Sequence, residues 1–284
     1  MAAVIHARGL SRSFGTVRAL DNISFDVDEG QIVGLIGPNG AGKTTALKAI
    51  LGLGPYEGEL EVLGLAPRKD RARLMENVCF IADTAVLPKW MKVRQALAAA
   101  EGLHPRFRRD KADAFLARTE IRSESRISQL SKGMVTQLHL AIVMAVDATL
   151  LVLDEPTLGL DILYRKAFYT ALVEEYFDEK RTILVTTHQV EEIEHILTDL
   201  MFIDHGRLAL HESMDALGEK YLEVAAHPDQ ADAARALEPI GERIVFGSPV
   251  FLFEGRSREQ LAPLGEIKVP GIADLFVAKM GGGR

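Results

Sequence analysis

Apolar residues recur along this chain with two different periods. The run Ile23-Ser24-Phe25-Asp26-Val27-Asp28 alternates apolar and polar positions and ends at Glu29-Gly30, the pattern of a half-buried strand closed by a turn. Residues 1–33 alternate in this way as a whole, which predicts antiparallel strands. Gln31 to Ile36 then reads as a short buried strand, and Thr45 to Leu51 as a helix stopped by Gly52. Gly58 to Leu65 is predicted to be a strand bounded by glycines, and Val78 to Ala82 a short apolar strand. From about Val93 to Arg118 the spacing turns helical, with Leu97, Ala100 and Leu103 on one face and Pro105 breaking the run. A strongly apolar helix is expected over 131–146. Leu150 to Leu153 and Thr182 to Thr186 read as buried strands with a helix between them. Strands alternating with helices predict a mainly parallel sheet.

After about Gly218 the character changes. Residues 228–236 are helix-like, Ile244-Val245-Phe246 and Val250-Phe251-Leu252-Phe253 read as short strands around Gly247-Ser248-Pro249, and a helix near 270–280 precedes a glycine tail. The expected division is therefore a main domain over 1–217 and a small α/β accessory domain over 218–284. The latter carries no chemical motif and suits a packing or dimerisation appendage.

Bulk composition narrows the class. With 48% hydrophobic and 26% charged residues the chain matches an ordinary globular protein. Its net charge of −7 argues against global attraction to nucleic acid. A single cysteine, Cys79, excludes an intrachain disulfide, and its neighbours Val78, Phe80 and Ile81 suit a packed thiol. The longest apolar run, Leu140 to Val146, ends at Asp147 and falls far short of the ~18–20 residues that cross a bilayer. No signal-peptide pattern opens the sequence. The chain is expected to stay in the cytosol, so a membrane role requires a partner with its own spans.

Candidate chemistry begins at Gly37-Pro38-Asn39-Gly40-Ala41-Gly42-Lys43-Thr44, which fits G-x-x-x-x-G-K-[ST] between a predicted strand and a predicted helix. Glycines let successive N–H groups face one anion, and the helix N-terminus adds its partial positive charge there. Asn39, Gly40, Ala41, Gly42, Lys43, Thr44 and Thr45 are the expected phosphate-binding residues. Lys43 should reach the β- and γ-phosphates of a nucleoside triphosphate, and the Thr44 hydroxyl should ligate Mg²⁺. Downstream, Leu150-Leu151-Val152-Leu153-Asp154-Glu155 is an apolar strand ending in two acids, at the sheet edge where open α/β sheets bind ligands. Asp154 fits a Mg²⁺-holding role and Glu155 that of the group polarising the attacking water.

Leu130-Ser131-Lys132-Gly133-Met134 decides between families. Here the chain resembles the ATP-binding cassette (ABC) family, whose signature is L-S-G-G-Q or a variant. Phe14 stands where that family stacks an aromatic on adenine, Gly159-Leu160-Asp161 stands as the D-loop, and His188 ends the next strand as the switch histidine. Singly, Phe14 would suit a core, His188 a strand end and Ser131 a plain helix N-cap. Their shared order over residues 4–215 carries the resemblance. It implies an α/β P-loop NTPase sheet with an N-terminal antiparallel β subdomain, a helical subdomain at about 84–146 and the small accessory domain. It also implies that Ser131 and Gly133 cap ATP bound to a second cassette, in a head-to-tail homodimer.

Three positions depart from the pattern. Lys132 and Met134 replace a glycine and the glutamine of the signature. Asp83 stands where the family carries its Q-loop glutamine, and is a candidate Mg²⁺ ligand or a residue pointing away. Trp90, the only tryptophan, fits either a core position or an anchor for a membrane partner.

The signature and the ending Val269 to Val277 resemble ATPases of ABC-2 type exporters, which act through a separate integral membrane permease. The resemblance thus implies an ATP- and Mg²⁺-dependent ATPase on the cytoplasmic face of a membrane, held there by the permease. The alternative is a soluble ABC ATPase acting on DNA or the ribosome. Thr44 and Leu130 lie too close for the long coiled coil of chromosome-type members, and ribosome-type members carry two cassettes. No nucleic acid partner is expected. The two readings of Asp83 part at one measurement: a Mg²⁺ ligand requires that Asp83→Gln shift the Mg²⁺ dependence of ATP hydrolysis, and an unchanged dependence assigns the loop to shape alone.

Overall fold

Two long strands, β1 (Ala3–Phe14) and β2 (Val17–Asp28), open the chain as an antiparallel hairpin. Ile5 pairs with Val27, Ala7 with Phe25 and Leu10 with Ile23, and all six are buried, as the alternating sequence predicts. This is a computed structural model, and it describes residues 3–82, 87–158 and 162–281.

β3 (Ile32–Ile36) leads into α1 (Lys43–Ile50). The helix starts at Lys43, two residues before the expected Thr45. Gly52, with φ +64°, ends it, and the Leu53 N–H closes onto the Lys48 carbonyl at 2.8 Å. β4 (Glu57–Val62) joins the other side of β1, giving a three-stranded sheet in the order β2-β1-β4. It stops at Val62, short of the expected Leu65, where Leu63 and Gly64 both take positive φ.

α2 (Arg71–Met75) and β5 (Val78–Ile81) follow. The helical stretch expected over 93–118, with its break at Pro105, is two helices, α3 (Val93–Leu103) and α4 (Arg109–Leu116). α5 (Lys132–Met144), β6 (Leu150–Asp154), α6 (Ile162–Ala171) and β7 (Thr182–Thr187) come next. β8 (Asp199–Asp204) and β9 (Arg207–Ser213) form a hairpin that the sequence reading passed over. The central sheet runs β5-β6-β7-β3-β8-β9, parallel except for β9.

That sheet is buried on both faces, which explains its continuous apolar runs. Val33, Leu35, Val152 and Leu184 pack with α1 and the antiparallel sheet. Ile32, Ile36, Leu151, Leu153, Ile183 and Val185 pack beneath α3, α5 and α6. Cys79 belongs to this second core, and burial pushes its thiol up to about 12. Trp90, in contrast, is 65% exposed, which rules out the core position.

α7 (Met214–Lys220) spans the boundary expected near residue 217. Beyond it lie β10 (Tyr221–Ala226), α8 (Ala231–Ala236), β11 (Gly241–Val245), β12 (Ser248–Glu254), α9 (Arg258–Leu261), β13 (Gly265–Lys268) and α10 (Ile272–Gly281). Their sheet, β11-β12-β10-β13, is antiparallel. Leu222, Val224, Phe251 and Phe253 form its own small core. Tyr221, Leu252, Ile272 and Leu275 instead join the main core, and Phe276 meets Phe202 edge-to-face at 5.0 Å. This C-terminal unit is packed onto the central sheet.

His139 on α5 faces a cavity of about 240 Å³ beside Cys79, Phe80 and Leu87. Its Nε2 is buried and has no hydrogen-bond partner among the described residues. Burial lowers the pKa of His139, and likewise that of His211 on β9. Below the ordinary histidine value of about 6.5, the unfolded chain therefore takes up these protons first. Stability is level above that pH and declines as pH falls toward the depressed folded values. His139→Leu should flatten this acid slope. Urea unfolding at about pH 5.5 and 7.5 checks it, the variant gaining on the wild type only at the lower pH.

Candidate nucleotide site

β3 is buried along its whole length, so the chain must turn sharply where it leaves the sheet. Gly42 makes this possible: its φ is +114°, and a Cβ there would stand 2.3 Å from the Ala19 carbonyl oxygen. Angle and space both exclude a side chain. The Ala46 N–H bonds the Gly42 carbonyl at 2.9 Å, so α1 begins directly at the end of the loop. Pro38, Asn39 and Gly40 crown the loop and are exposed.

Lys43 is only 7% exposed. Its ammonium donates to the Gly37 carbonyl at 2.5 Å and the Pro38 carbonyl at 3.3 Å. It also lies 3.6 Å from Glu155 Oε1. A buried ammonium requires such partners, and here they also curl the loop around the cation.

The acids arrive from β6. Asp154 is 5% exposed and sits opposite Thr186 of β7. Thr44 Oγ1 donates to Asp154 Oδ2 at 3.1 Å, and Thr186 Oγ1 donates to Oδ1 at 2.7 Å. Glu155 follows with φ +48°, a left-handed backbone unusual for a residue with a side chain. Its Oε2 lies 2.9 Å from His188 Nδ1. Glu155 thus stands between Lys43 and His188. Asn39, Gly40, Gly42, Lys43, Thr44, Thr45, Asp154, Glu155 and His188 line one cleft of about 430 Å³.

The other expected residues lie elsewhere. Ala41 is buried beneath the loop, its carbonyl accepting from the Gly206 N–H at 2.9 Å. Phe14 is 56% exposed at the tip of the β1–β2 hairpin, with the Arg12 guanidinium 4.6 Å above its ring, and it does not line the cleft. Ser131 caps α5, its hydroxyl accepting from the Met134 N–H at 3.2 Å. Gly133 is buried against Tyr164 of α6, where a Cβ would meet the ring at 1.9 Å. Neither Ser131 nor Gly133 lines the cleft. Asp83 and Asp161 lie outside the described residues.

Two supports escaped the sequence reading. The β8–β9 turn holds the phosphate loop, because Gly206 bonds Ala41 and also accepts from the Asp21 N–H at 2.8 Å. The signal was present: Asp204-His205-Gly206-Arg207 separates apolar strands as a hairpin turn does. A second network joins the segment after Asp154 to the one after His188. Thr157 Oγ1 lies 3.2 Å from Tyr169 Oη and donates to Glu192 at 3.5 Å, while Arg165 bonds Gln189 and Glu192. No sequence spacing marks it.

A phosphate loop, paired acids and a histidine around one cleft define a nucleotide hydrolase of the P-loop class. Comparison with known proteins gives the particular family. The ABC transporter family model matches residues 20–158. The Nod factor export ATP-binding protein I of Sinorhizobium fredii is 36% identical over 72% of this chain and 61% of its own length. That of Cupriavidus metallidurans is 32% identical over 93% of this chain and 90% of its own. A solved ATP-binding subunit of an ABC transporter superposes with a TM-score of 0.66 and 27% identity, over 75% of this chain and 91% of that one. The chain belongs to the ABC transporter family of ATP-binding proteins, which bind and hydrolyse ATP.

Gly42→Ala should force the loop off the Ala19 carbonyl. The expected outcome is a stability loss of about 1–3 kcal/mol and loss of most ATP binding, read by denaturant unfolding and by titration with a fluorescent nucleotide.

Proposed function

We propose that the chain works as a homodimer that powers a separate integral membrane permease, with ATP closing the dimer and hydrolysis reopening it. The convergence of Lys43, Thr44, Asp154, Glu155 and His188 on one cleft carries the ATP-hydrolysing part of this reading. Lys43 and the loop N–H groups bind the β- and γ-phosphates. The Thr44 hydroxyl and Asp154 carboxylate, 3.1 Å apart, form a hard-oxygen donor set suited to Mg²⁺. An ion held there would supply neutralisation of the phosphate charge. Glu155 aligns and polarises the attacking water, and His188 contacts the γ-phosphate. Phe14, exposed at its hairpin tip, offers its ring to the adenine. Asp83 and Asp161 remain candidates for the metal and the dimer seam.

Ser131 and Gly133 sit away from their own cleft, which supports their service to the nucleotide of the second copy. Among the described residues no helix is long and apolar enough to cross a membrane. A peripheral place on the cytoplasmic face therefore rests on the permease, and exposed Trp90 suits its contact surface. The relatives are named as export proteins, and we assign this chain to export as well.

Lys43→Ala is expected to abolish ATP binding by the single chain. Ser131→Arg should still bind ATP yet fail to dimerise and hydrolyse it, as read by light scattering and phosphate release. Glu155→Gln should keep ATP binding and lose about 10²–10⁴-fold in hydrolysis. A multispan membrane protein co-purifying with the chain supports transport, whereas ribosomes or DNA without such a partner would refute it.

A further inference from the structure

Glu155 poses a conformational problem that the sequence does not show. Its φ of +48° is a left-handed backbone, which is strained for a residue bearing a side chain. Something outside the residue must hold it there. Its N–H is the handle: it donates to Thr186 Oγ1 at 3.1 Å and lies 3.2 Å from the Thr186 carbonyl oxygen. The same hydroxyl gives its own proton to Asp154 Oδ1 at 2.7 Å. One buried oxygen thus accepts from the Glu155 N–H and donates to the Asp154 carboxylate before it.

Thr186 is 0% exposed and lies on β7, between the strand that launches the phosphate loop and the strand that ends in the acids. Its strand partners in register are Leu35 on β3 and Asp154 on β6. A hydroxyl here reaches both acids only because three parallel strands end level with one another. Thr44 holds the opposite oxygen of Asp154, so the carboxylate is fixed from two sides by hydroxyls on separate elements.

We infer that Thr186 is a positioning residue for hydrolysis, its buried hydroxyl fixing the Asp154 carboxylate and the left-handed turn that points Glu155 into the cleft. This rests on the reading of Glu155 as the water-aligning group. Thr186 touches neither ATP nor water in this role. It acts by keeping Glu155 and Asp154 in one arrangement while nucleotide enters and leaves.

The test is Thr186→Val in the full chain, which keeps the branched shape that a strand accepts and replaces the hydroxyl with a methyl group. ATP binding, measured at equilibrium, and KM should be unchanged, while kcat falls about 10–100-fold, the usual effect of losing a supporting hydrogen bond. Thr186→Ser should restore most of the rate. In a Glu155→Gln background, Thr186→Val should cost much less than it does alone, because the turn it holds for Glu155 no longer matters and only its bond to Asp154 remains to be lost. Wild-type kcat in Thr186→Val, equal losses of binding and turnover, or an additive loss in the double variant would each overturn the inference. Full activity in Glu155→Gln alone would instead sink the underlying reading of Glu155, so the two failures are told apart.

Discussion

The site depends on burying one ammonium and one carboxylate at the end of a parallel sheet without leaving either alone. Lys43 and Asp154 are both almost fully buried, and an isolated charge in that position would be prohibitive. Lys43 is answered by the carbonyls of Gly37 and Pro38, and by Glu155 at 3.6 Å. Asp154 is answered by the hydroxyls of Thr44 and Thr186. These partners come from the loop after β3, the start of α1 and the ends of β6 and β7. The charges are therefore tolerable only when the strands are in register. Folding and assembly of the site are one event.

The layers around the sheet serve that register. Alternate residues of β3, β6 and β7 enter two separate cores. A slip by one residue would exchange the faces and break both packings. The antiparallel hairpin contributes Ala19, whose carbonyl lies too close to Gly42 for any side chain. The β8–β9 turn contributes Gly206, which bonds the loop from beneath. The phosphate loop is thus clamped by elements distant in sequence, although its own residues are contiguous.

Much of this was legible in the sequence, for identifiable reasons. Lys43, Thr44, Asp154 and Glu155 were found because their residue types and spacing are constrained by phosphate chemistry, His188 because its place in the order resembles the ABC family, and the structure brings all five to one cleft. Trp90 was placed poorly, because a lone aromatic reads the same in a core or on a surface. The strands β8, β9, β10 and β13 were all missed: β8 and β9 although a hairpin turn separates them, β13 because so short a run mixes polar and apolar positions. Local pattern alone does not reveal that β10 and β13 pair, because about 40 residues separate them.

The sequence by itself determined the chemistry: a contiguous glycine-rich loop, two consecutive acids at a strand end and the strand-helix alternation that builds a parallel sheet. These are local properties, carried by neighbouring residues. Only the tertiary structure decided which hydroxyls hold the acids, because Thr44 and Asp154 are 110 residues apart and Asp154 and Thr186 are 32 apart. It also decided that Glu155 turns left-handed and that Gly133 is packed against Tyr164. Distances of this kind follow from strand register and helix packing. Those are fixed by the sum of many buried contacts rather than by any short run of residues.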